Sequence, residues 1–465
     1  MSGTFVRGLK QDNCLTRVRI HCSRFRRRST DIRGIQCGDV FEWRVQRHNS
    51  VVWGLACPTG RISAVSPIGT STMFDVAAIQ SALRESQLDG WLFYDFRASN
   101  VLARRILQFP DGPDGSRRWA YLIPKTGAPK KLVHRIEDGA LDHLPGEKRV
   151  YLKWQEFEAG IAALVSGCPR VAMEYSPLNG IPYISRVDAG TVELVRRSGV
   201  EVVSSGDLIQ MFEAVWDDAQ WTMHLEAGRH TDSAYAAAWA MIAAAVRANG
   251  ETTESAVSAT IMEHFDKHGL TTYHPPIVGV NAHSGDPHYE TGEAPIRAGD
   301  FVLIDLWAKL NQPRAVYSDL TRVGFVGESV PKKYEAIFLI VAAARDAAIQ
   351  LVKERFARNE TLQGYEVDDA ARRVIEHAGY GQYFVHRTGH SIGQETHGNG
   401  ANIDNLETHE TRRILPGCCF SIEPGIYLPE FGIRSEVNVF VDHQRQVHVT
   451  AGTLQTSVIP ILKAF

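Results

Sequence analysis

Ile296-Arg-Ala-Gly299-Asp-Phe-Val-Leu-Ile304-Asp305 recurs 118 positions later as Ile414-Leu-Pro-Gly417-Cys-Cys-Phe-Ser-Ile422-Glu423. Each copy passes a glycine, enters an apolar strand and ends that strand on a carboxylate. A pair of helix-like segments precedes each copy, so the constant offset implies a duplicated half-domain. A pseudo-two-fold relation would bring Asp305 and Glu423 together. An ionised carboxylate in such a strand loses its hydration, and both therefore need cations nearby.

Outward from this repeat, residues from about 220 to the C-terminus predict long helices over 221–248, 253–268, 332–356 and 367–378. Strand-like runs separate them, notably 301–307, 324–326, 420–423 and 437–441. Between 91 and about 215 the pattern is different: short strands at 91–94, 119–123, 150–154, 171–174 and 200–203 alternate with helix-like segments, which predicts an α/β domain. Just upstream, Phe74, Val76, Ile79 and Leu83 share one face of a helix ending near Leu88-Asp89-Gly90. The domains expected are 73–215 and 220–465.

Residues 1–72 have another character. They hold 12 Lys plus Arg against 4 Asp plus Glu, and four of the seven cysteines. No period of 2 or 3.6 is sustained there. Three readings compete for this stretch: an extension upstream of a start at Met73, a disordered tail, and an Arg-rich targeting peptide.

The whole chain of 465 residues carries a formal net charge of -3 and is 44% hydrophobic, enough for large buried cores and too balanced to point to nucleic acid or an anionic membrane. The longest apolar run, Ala234 to Val246, is far shorter than the roughly 20 residues a bilayer needs, and its alanines suit close helix packing. Seven cysteines without a Cys-x-x-Cys argue against a disulfide scaffold or a thiolate zinc site, and make a reducing cytoplasm the simplest location.

Three further residues follow the logic of Asp305 and Glu423. They are Asp319 in Tyr317-Ser-Asp-Leu-Thr-Arg322, His390 in His386-Arg-Thr-Gly-His390, and Glu436 in Gly432-Ile-Arg-Ser-Glu436 before a valine-rich strand. Four carboxylates and one imidazole suit two divalent ions of the Mn2+, Fe2+, Co2+ or Zn2+ kind, because oxygen ligands dominate and no thiolate favours a soft metal. Such a pair lowers the pKa of a shared water and polarises a carbonyl, the requirements of metal-assisted amide hydrolysis.

With His386-Arg-Thr-Gly-His-Ser-Ile-Gly393, Ser421-Ile-Glu-Pro-Gly-Ile-Tyr427, Ser318-Asp-Leu-Thr-Arg322 and Gly432-Ile-Arg-Ser-Glu436 following Asp305, the chain from about Met73 onward resembles the pita-bread (M24) metallopeptidases. These include methionine aminopeptidase, Xaa-Pro aminopeptidase and prolidase. The resemblance implies a creatinase-like N-terminal domain, a pita-bread catalytic domain and, commonly, a homodimer. It implies the metal ligands Asp305, Asp319, His390, Glu423 and Glu436. It makes His288 and His397 the histidines that contact substrate and tetrahedral intermediate, and His386 and Arg434 pocket residues near a proline ring. The activity implied is cleavage of Xaa-Pro bonds, in peptides with proline second, by a hydroxide bridging two Mn2+ ions, with Glu423 shuttling the proton.

The chain departs from that family's usual pattern in three places. Asp305 and Asp319 lie 14 apart where 11 is usual, which predicts a longer hairpin turn at Asn311-Gln-Pro-Arg314. Trp307 stands where relatives usually carry glycine, and Gly398-Asn-Gly400 follows His397 where glutamate is common; both bear on substrate choice. The alternative within the same fold is a C–N hydrolase acting on a non-peptide amide. From other classes, Gly389-His-Ser-Ile-Gly393 matches Gly-x-Ser-x-Gly, which would make Ser391 a nucleophile, but the following residues read as loop where that motif needs a helix. A non-catalytic adaptor on the same fold would have no need to keep five competent ligands. Arg434 could equally be an ion-pair partner holding a neighbouring carboxylate.

Overall fold

The computed structural model describes the backbone of residues 41–47 and 50–56, and residues 74–110, 115–450 and 452–465. The chain divides into two compact units, Met1–Ser71 and Thr72–Phe465. In the first, strands Phe41–Arg47 and Ser50–Ala56 pair antiparallel as a hairpin, with Arg47 opposite Ser50. The sequence reading assigned no element here. Its three readings of 1–72 otherwise fall outside the described residues.

In the second unit a mixed six-stranded sheet comes first. Its spatial order is Glu147–Tyr151, Lys130–His134, Trp119–Pro124, Gly90–Asp95, Arg170–Met173 and Glu201–Ser204. Every residue of Gly90–Asp95 is buried because helices cover both faces. Trp91 and Phe93 pack with Ile79, Leu83 and Ile106 on one side, and Leu92 and Tyr94 with Phe157, Ile161 and Val195 on the other. The strand expected over 150–154 is displaced. It ends at Tyr151, and Trp154 opens a helix whose Glu156 side chain accepts from the Leu152 and Lys153 amides at 2.8 and 3.1 Å.

The remainder is built twice. Helices α1 (Asp218–Asn249) and α2 (Glu254–Lys267) precede the strands β1 (Phe301–Leu310) and β2 (Ser318–Phe325). Helices α3 (Lys332–Ala357) and α4 (Gly364–His377) precede β3 (Cys419–Ile422) and β4 (Val437–Val441). Asp217 caps α1 by accepting from the Gln220 amide at 2.9 Å, and Gly250 ends it at φ 84°, a left-handed conformation that glycine adopts without Cβ strain. The Ala-rich stretch of α1 is core: Ala234, Tyr235, Ala238, Trp239 and Ile242 all pack against the first sheet.

The two-residue alternation of the strands creates the centre of the molecule. Val302, Ile304, Leu306 and Leu320 face α1 and α2, whereas Phe420, Ile422, Val437 and Val439 face α3 and α4. The opposite parity therefore points inward between the halves: Asp305, Trp307, Asp319 and Thr321 from β1 and β2, Ser421 and Asn438 from β3 and β4. β1 and β2 pair antiparallel with Asp305 opposite Thr321 and Trp307 opposite Asp319, so the longer 311–317 connection leaves both carboxylates on one face. Asp305 does not end its strand, as the repeat had suggested. It sits mid-strand, because β2 goes on pairing past it to Ala308 opposite Ser318 and Leu270–Thr271 pairs with Leu310 and Lys309. Glu423 does directly follow β3. Among the described residues no helix is long and apolar enough to cross a membrane.

Candidate metal centre

Where the halves meet, β2 and β4 exchange hydrogen bonds. The Asp319 amide donates to Asn438 Oδ1 at 3.0 Å, Asn438 Nδ2 donates to the Asp319 carbonyl at 2.6 Å, and Thr321 Oγ1 donates to Glu436 Oε2 at 2.8 Å. These contacts hold Asp319 and Glu436 side by side. His390 joins them: one ligand-capable atom each from Asp319, His390 and Glu436 lies within 4.8 Å of the others. His390 Nε2 is 3.5 Å from Asp319 Oδ2 and 3.3 Å from Glu423 Oε1. Asp305 and Glu423 are bridged by Arg434, which donates to Asp305 Oδ2 and lies 3.8 Å from Glu423 Oε2. All five expected ligands are thus gathered in one cluster.

Helix α4 positions His390. Asp368 accepts from the Thr388 amide and hydroxyl at 2.8 and 2.6 Å, and Arg372 Nη2 donates to the His386 carbonyl at 2.9 Å. Between Thr388 and His390 the chain passes so close to β3 that a Cβ on Gly389 would stand 2.0 Å from the Ser421 carbonyl oxygen. That carbonyl cannot retreat freely, because the Ser421 amide donates to the His390 carbonyl at 2.8 Å and Ser421 Oγ accepts from the His390 amide at 2.9 Å. Gly432 meets the same constraint, 2.1 Å from the Ser284 carbonyl oxygen. Gly389→Ala is expected to cost about 3 kcal/mol by overpacking and to lower the metal content of the folded fraction. Thermal melts with elemental analysis check this, and an unchanged midpoint would refute it.

The electrostatics call for cations. Burial, reinforced by the neighbouring carboxylates, holds the Asp319 and Glu436 carboxyls well above the usual range. Burial likewise raises Asp305 and pushes Glu423 up to about 7, with Arg434 opposing in both cases. Asp305 Oδ1 and Glu436 Oε1 are buried and accept no hydrogen bond. Burial also drives His390 well below its ordinary pKa and His397 down to about 4, so both are neutral imidazoles with a lone pair available at neutral pH. Crowded hard oxygen donors, unsatisfied carboxylate oxygens and a neutral imidazole fit divalent ions.

Around this cluster stand the other expected residues. His397 packs edge-on to His390 with ring centroids 4.3 Å apart. His288 is exposed and close enough for its charge to act on both Asp305 and His397. His386 Nε2 and Arg434 Nη1 meet the same Tyr427 hydroxyl, at 2.7 and 3.1 Å. Arg434 is 4% exposed and also donates to Thr321 Oγ1 at 2.8 Å, the arrangement of an ion-pair partner to Asp305. The sequence reading missed Thr321, Ser421, Tyr427 and Asn438 as supporting residues, although the first three lie inside the quoted motifs. Two-residue parity with the carboxylates was the available signal for Thr321, Ser421 and Asn438.

The loop carrying His397 is tied to the N-terminal sheet region. Asn399 donates to Glu213 at 2.9 Å, the Ala401 amide to Gln210 at 2.8 Å, and Arg105 pairs with both Glu213 and Glu395. Ser391 is 1% exposed, its Oγ accepts from the Gly400 amide at 3.0 Å, and a loop follows it. That is no nucleophile elbow. Trp307 is 8% exposed on the ligand-bearing face of β1, beside Tyr273 and His274.

A duplicated α/β frame with carboxylates and an imidazole converging between its halves defines a metallohydrolase class of protein. Residues 223–443 match the model of metallopeptidase family M24. The protein described as probable dipeptidase PepE of Mycobacterium tuberculosis is 27% identical over 351 residues, 74% of this chain and 86% of that protein. An Xaa-Pro dipeptidase of Lactobacillus delbrueckii subsp. lactis is 33% identical over 40% of this chain and 48% of its own length. The crystal structure of dipeptidase PepE from Mycobacterium ulcerans matches with a TM-score of 0.59 and 25% identity, covering 83% of this chain and 96% of that one. The fold is accordingly the creatinase-like and pita-bread combination.

Proposed function

We propose that the chain is a dinuclear metal-dependent peptidase that hydrolyses Xaa-Pro bonds, of the aminopeptidase P or prolidase type. The observation that carries this reading is the convergence of Asp305, Asp319, His390, Glu423 and Glu436, with buried carboxylate oxygens on Asp305 and Glu436 left without a hydrogen bond. These five would hold the ions, Mn2+ being the choice for so oxygen-rich a set. Bound there, the ions would acidify water and polarise the scissile carbonyl.

This chain's own residues would do the rest. Glu423 takes the proton of the attacking water and passes it toward the leaving nitrogen. His397 and His288 hydrogen-bond the oxygen that gains charge. Proline is a poor leaving group until its nitrogen is protonated, which makes that relay the demanding step. His386 and Arg434, joined at Tyr427, would form the wall toward the proline ring. The names of the relatives, an Xaa-Pro dipeptidase among them, support the proline assignment.

In the same reading, residues 73–215 form the N-terminal domain and 220–465 the catalytic one. The N-terminal domain limits substrate length through its ties to the 395–401 loop, in a cytoplasmic homodimer. The test is hydrolysis of Gly-Pro and Ala-Pro-Ala by chelator-stripped protein with and without added Mn2+. Cleavage that returns only with metal is expected, and the preferred peptide separates prolidase from aminopeptidase P. Two tightly bound ions without cleavage of either peptide would overturn the proline assignment in favour of another amide.

A further inference from the structure

Outside the carboxylate cluster, the packing of α1 against α2 gathers three histidines. His264 lies in the last turn of α2 and His268 at its C-cap, a spacing of four that puts both on one helix face. His230 reaches them from α1. Ring centroids are 4.1 Å apart for His264 and His268 and 4.6 Å for His230 and His268. One ring nitrogen from each lies within 4.8 Å of those of the other two, and all three rings are half-buried.

The surrounding hydrogen bonds define the tautomers. His268 Nδ1 is 2.8 Å from the His264 carbonyl oxygen, which can only accept, so His268 keeps a lone pair on Nε2. Ser233 gives its one hydroxyl proton to the His230 carbonyl at 3.0 Å and must accept from His264 Nε2 at 2.8 Å, leaving the lone pair on His264 Nδ1. His230 Nε2 lies 3.2 Å from Arg229 Nη2, a pure donor, so it too carries a lone pair. Such donor bonds to carbonyl and hydroxyl groups orient metal-ligating imidazoles. Burial and the neighbouring cationic groups keep His230 and His264 below their ordinary pKa, so their lone pairs are free of protons at neutral pH.

We propose that His230, His264 and His268 form a second metal site, separate from the carboxylate centre, that takes Zn2+ and ties α1 to α2. Three imidazoles with a fourth position open to water form a common zinc arrangement, and the absence of carboxylate from the set discriminates against Mn2+. The tie bears on the centre itself, because α1 also carries Tyr235, whose hydroxyl donates to the Ile304 and Leu320 carbonyls at 3.1 and 2.5 Å, next to Asp305 and Asp319. Arg229, beside His230, and Lys267, beside His264, are cations arranged against the ion; Arg229 is exposed and reaches Glu226 at 3.8 Å.

The experiment compares the full chain with the double variant His264→Ala and His268→Ala. Both are stripped with chelator and dialysed against micromolar zinc chloride, and zinc per chain is measured by elemental analysis. The wild type is expected to retain one zinc more than the variant, since both keep the carboxylate centre. Circular dichroism of the metal-free proteins verifies that both are folded; should the double variant not fold, His230→Gln is expected to lose the same equivalent. Arg229→Ala should tighten this zinc about fivefold by removing a cation, an effect that a purely structural histidine cluster would not show. Equal zinc content in folded wild type and folded variant would overturn the proposal.

Discussion

Glu423→Gln lowers turnover of Xaa-Pro substrates by about a thousandfold or more, while the folded structure persists. Loss of a positioned acid–base group alone accounts for a factor of about 100 to 10,000, and loss of a carboxylate ligand adds to it. Persistence of the fold follows from the surroundings. Glutamine keeps the volume and the acceptor that Ser421 Oγ meets at 3.1 Å, and it removes one of four crowded carboxylates. The metal-free variant is therefore at least as stable as the metal-free wild type, the opposite of what an ordinary structural ion pair would give. The measurement is kcat and KM on Ala-Pro-Ala and Gly-Pro at matched metal content, beside thermal melts after chelation. Residual turnover within tenfold of wild type would remove Glu423 from the proton relay.

Much of this centre is legible in the sequence because charge inside an apolar strand is costly. Asp305 and Glu423 stand at matching ends of two copies of one pattern, and no composition argument is needed to ask what neutralises them. Register is less legible. The 14-residue interval between Asp305 and Asp319 gives no sign that Trp307 pairs with Asp319, which is what leaves both carboxylates on one face. Arg434 shows the same limit: its motif placed it near the centre, but its bond to Asp305 depends on how β2 meets the second half. Trp154 misled for a local reason. The largely apolar run Val150-Tyr-Leu-Lys-Trp154 reads as strand, yet Trp154 is 62% exposed, and the Glu156 carboxylate at the helix start decides its conformation. His230 and His264 are 34 residues apart on different helices, so their meeting is a property of helix packing alone.

Chelated protein should lose stability as pH rises from about 6.5 to 8, and divalent metal should reverse that loss. In the metal-free folded chain, burial raises Glu423 from the ordinary 4.5 to about 7 and holds Asp319 and Glu436 well above their ordinary values. The folded state then binds more protons than the unfolded one, so stability falls as pH rises through that interval. Glu423 alone, half-titrated near 7, contributes a little under about 1 kcal/mol between pH 6.5 and 8. Buried histidines act with the opposite sign. His224 and His397 near 4, His386 near 3 and His390, also depressed, make stability rise with pH through about 6.5, the ordinary histidine value, and level off within about one unit above it. The two groups oppose one another up to about pH 7.5, and of the two only the carboxylates act above it. Stopping at pH 8 keeps Cys418 and Cys419, both raised by burial, out of the comparison. Glu174, buried beneath Trp91 and Asn100 and raised to about 7, has the sign of the carboxylates but stands outside the cluster, so it cancels between loaded and stripped protein. The decisive quantity is therefore the gap between the two melting temperatures. Metal ions take the place of protons at the centre, so the gap widens with pH, reaching roughly ten degrees at pH 8 for two well-filled sites. In Glu423→Gln the stripped protein's slope between pH 6.5 and 8 becomes shallower. A gap that stays constant across this window would mean that the carboxylates are neutralised by the protein itself, through Arg434 and, at Glu423, Arg387.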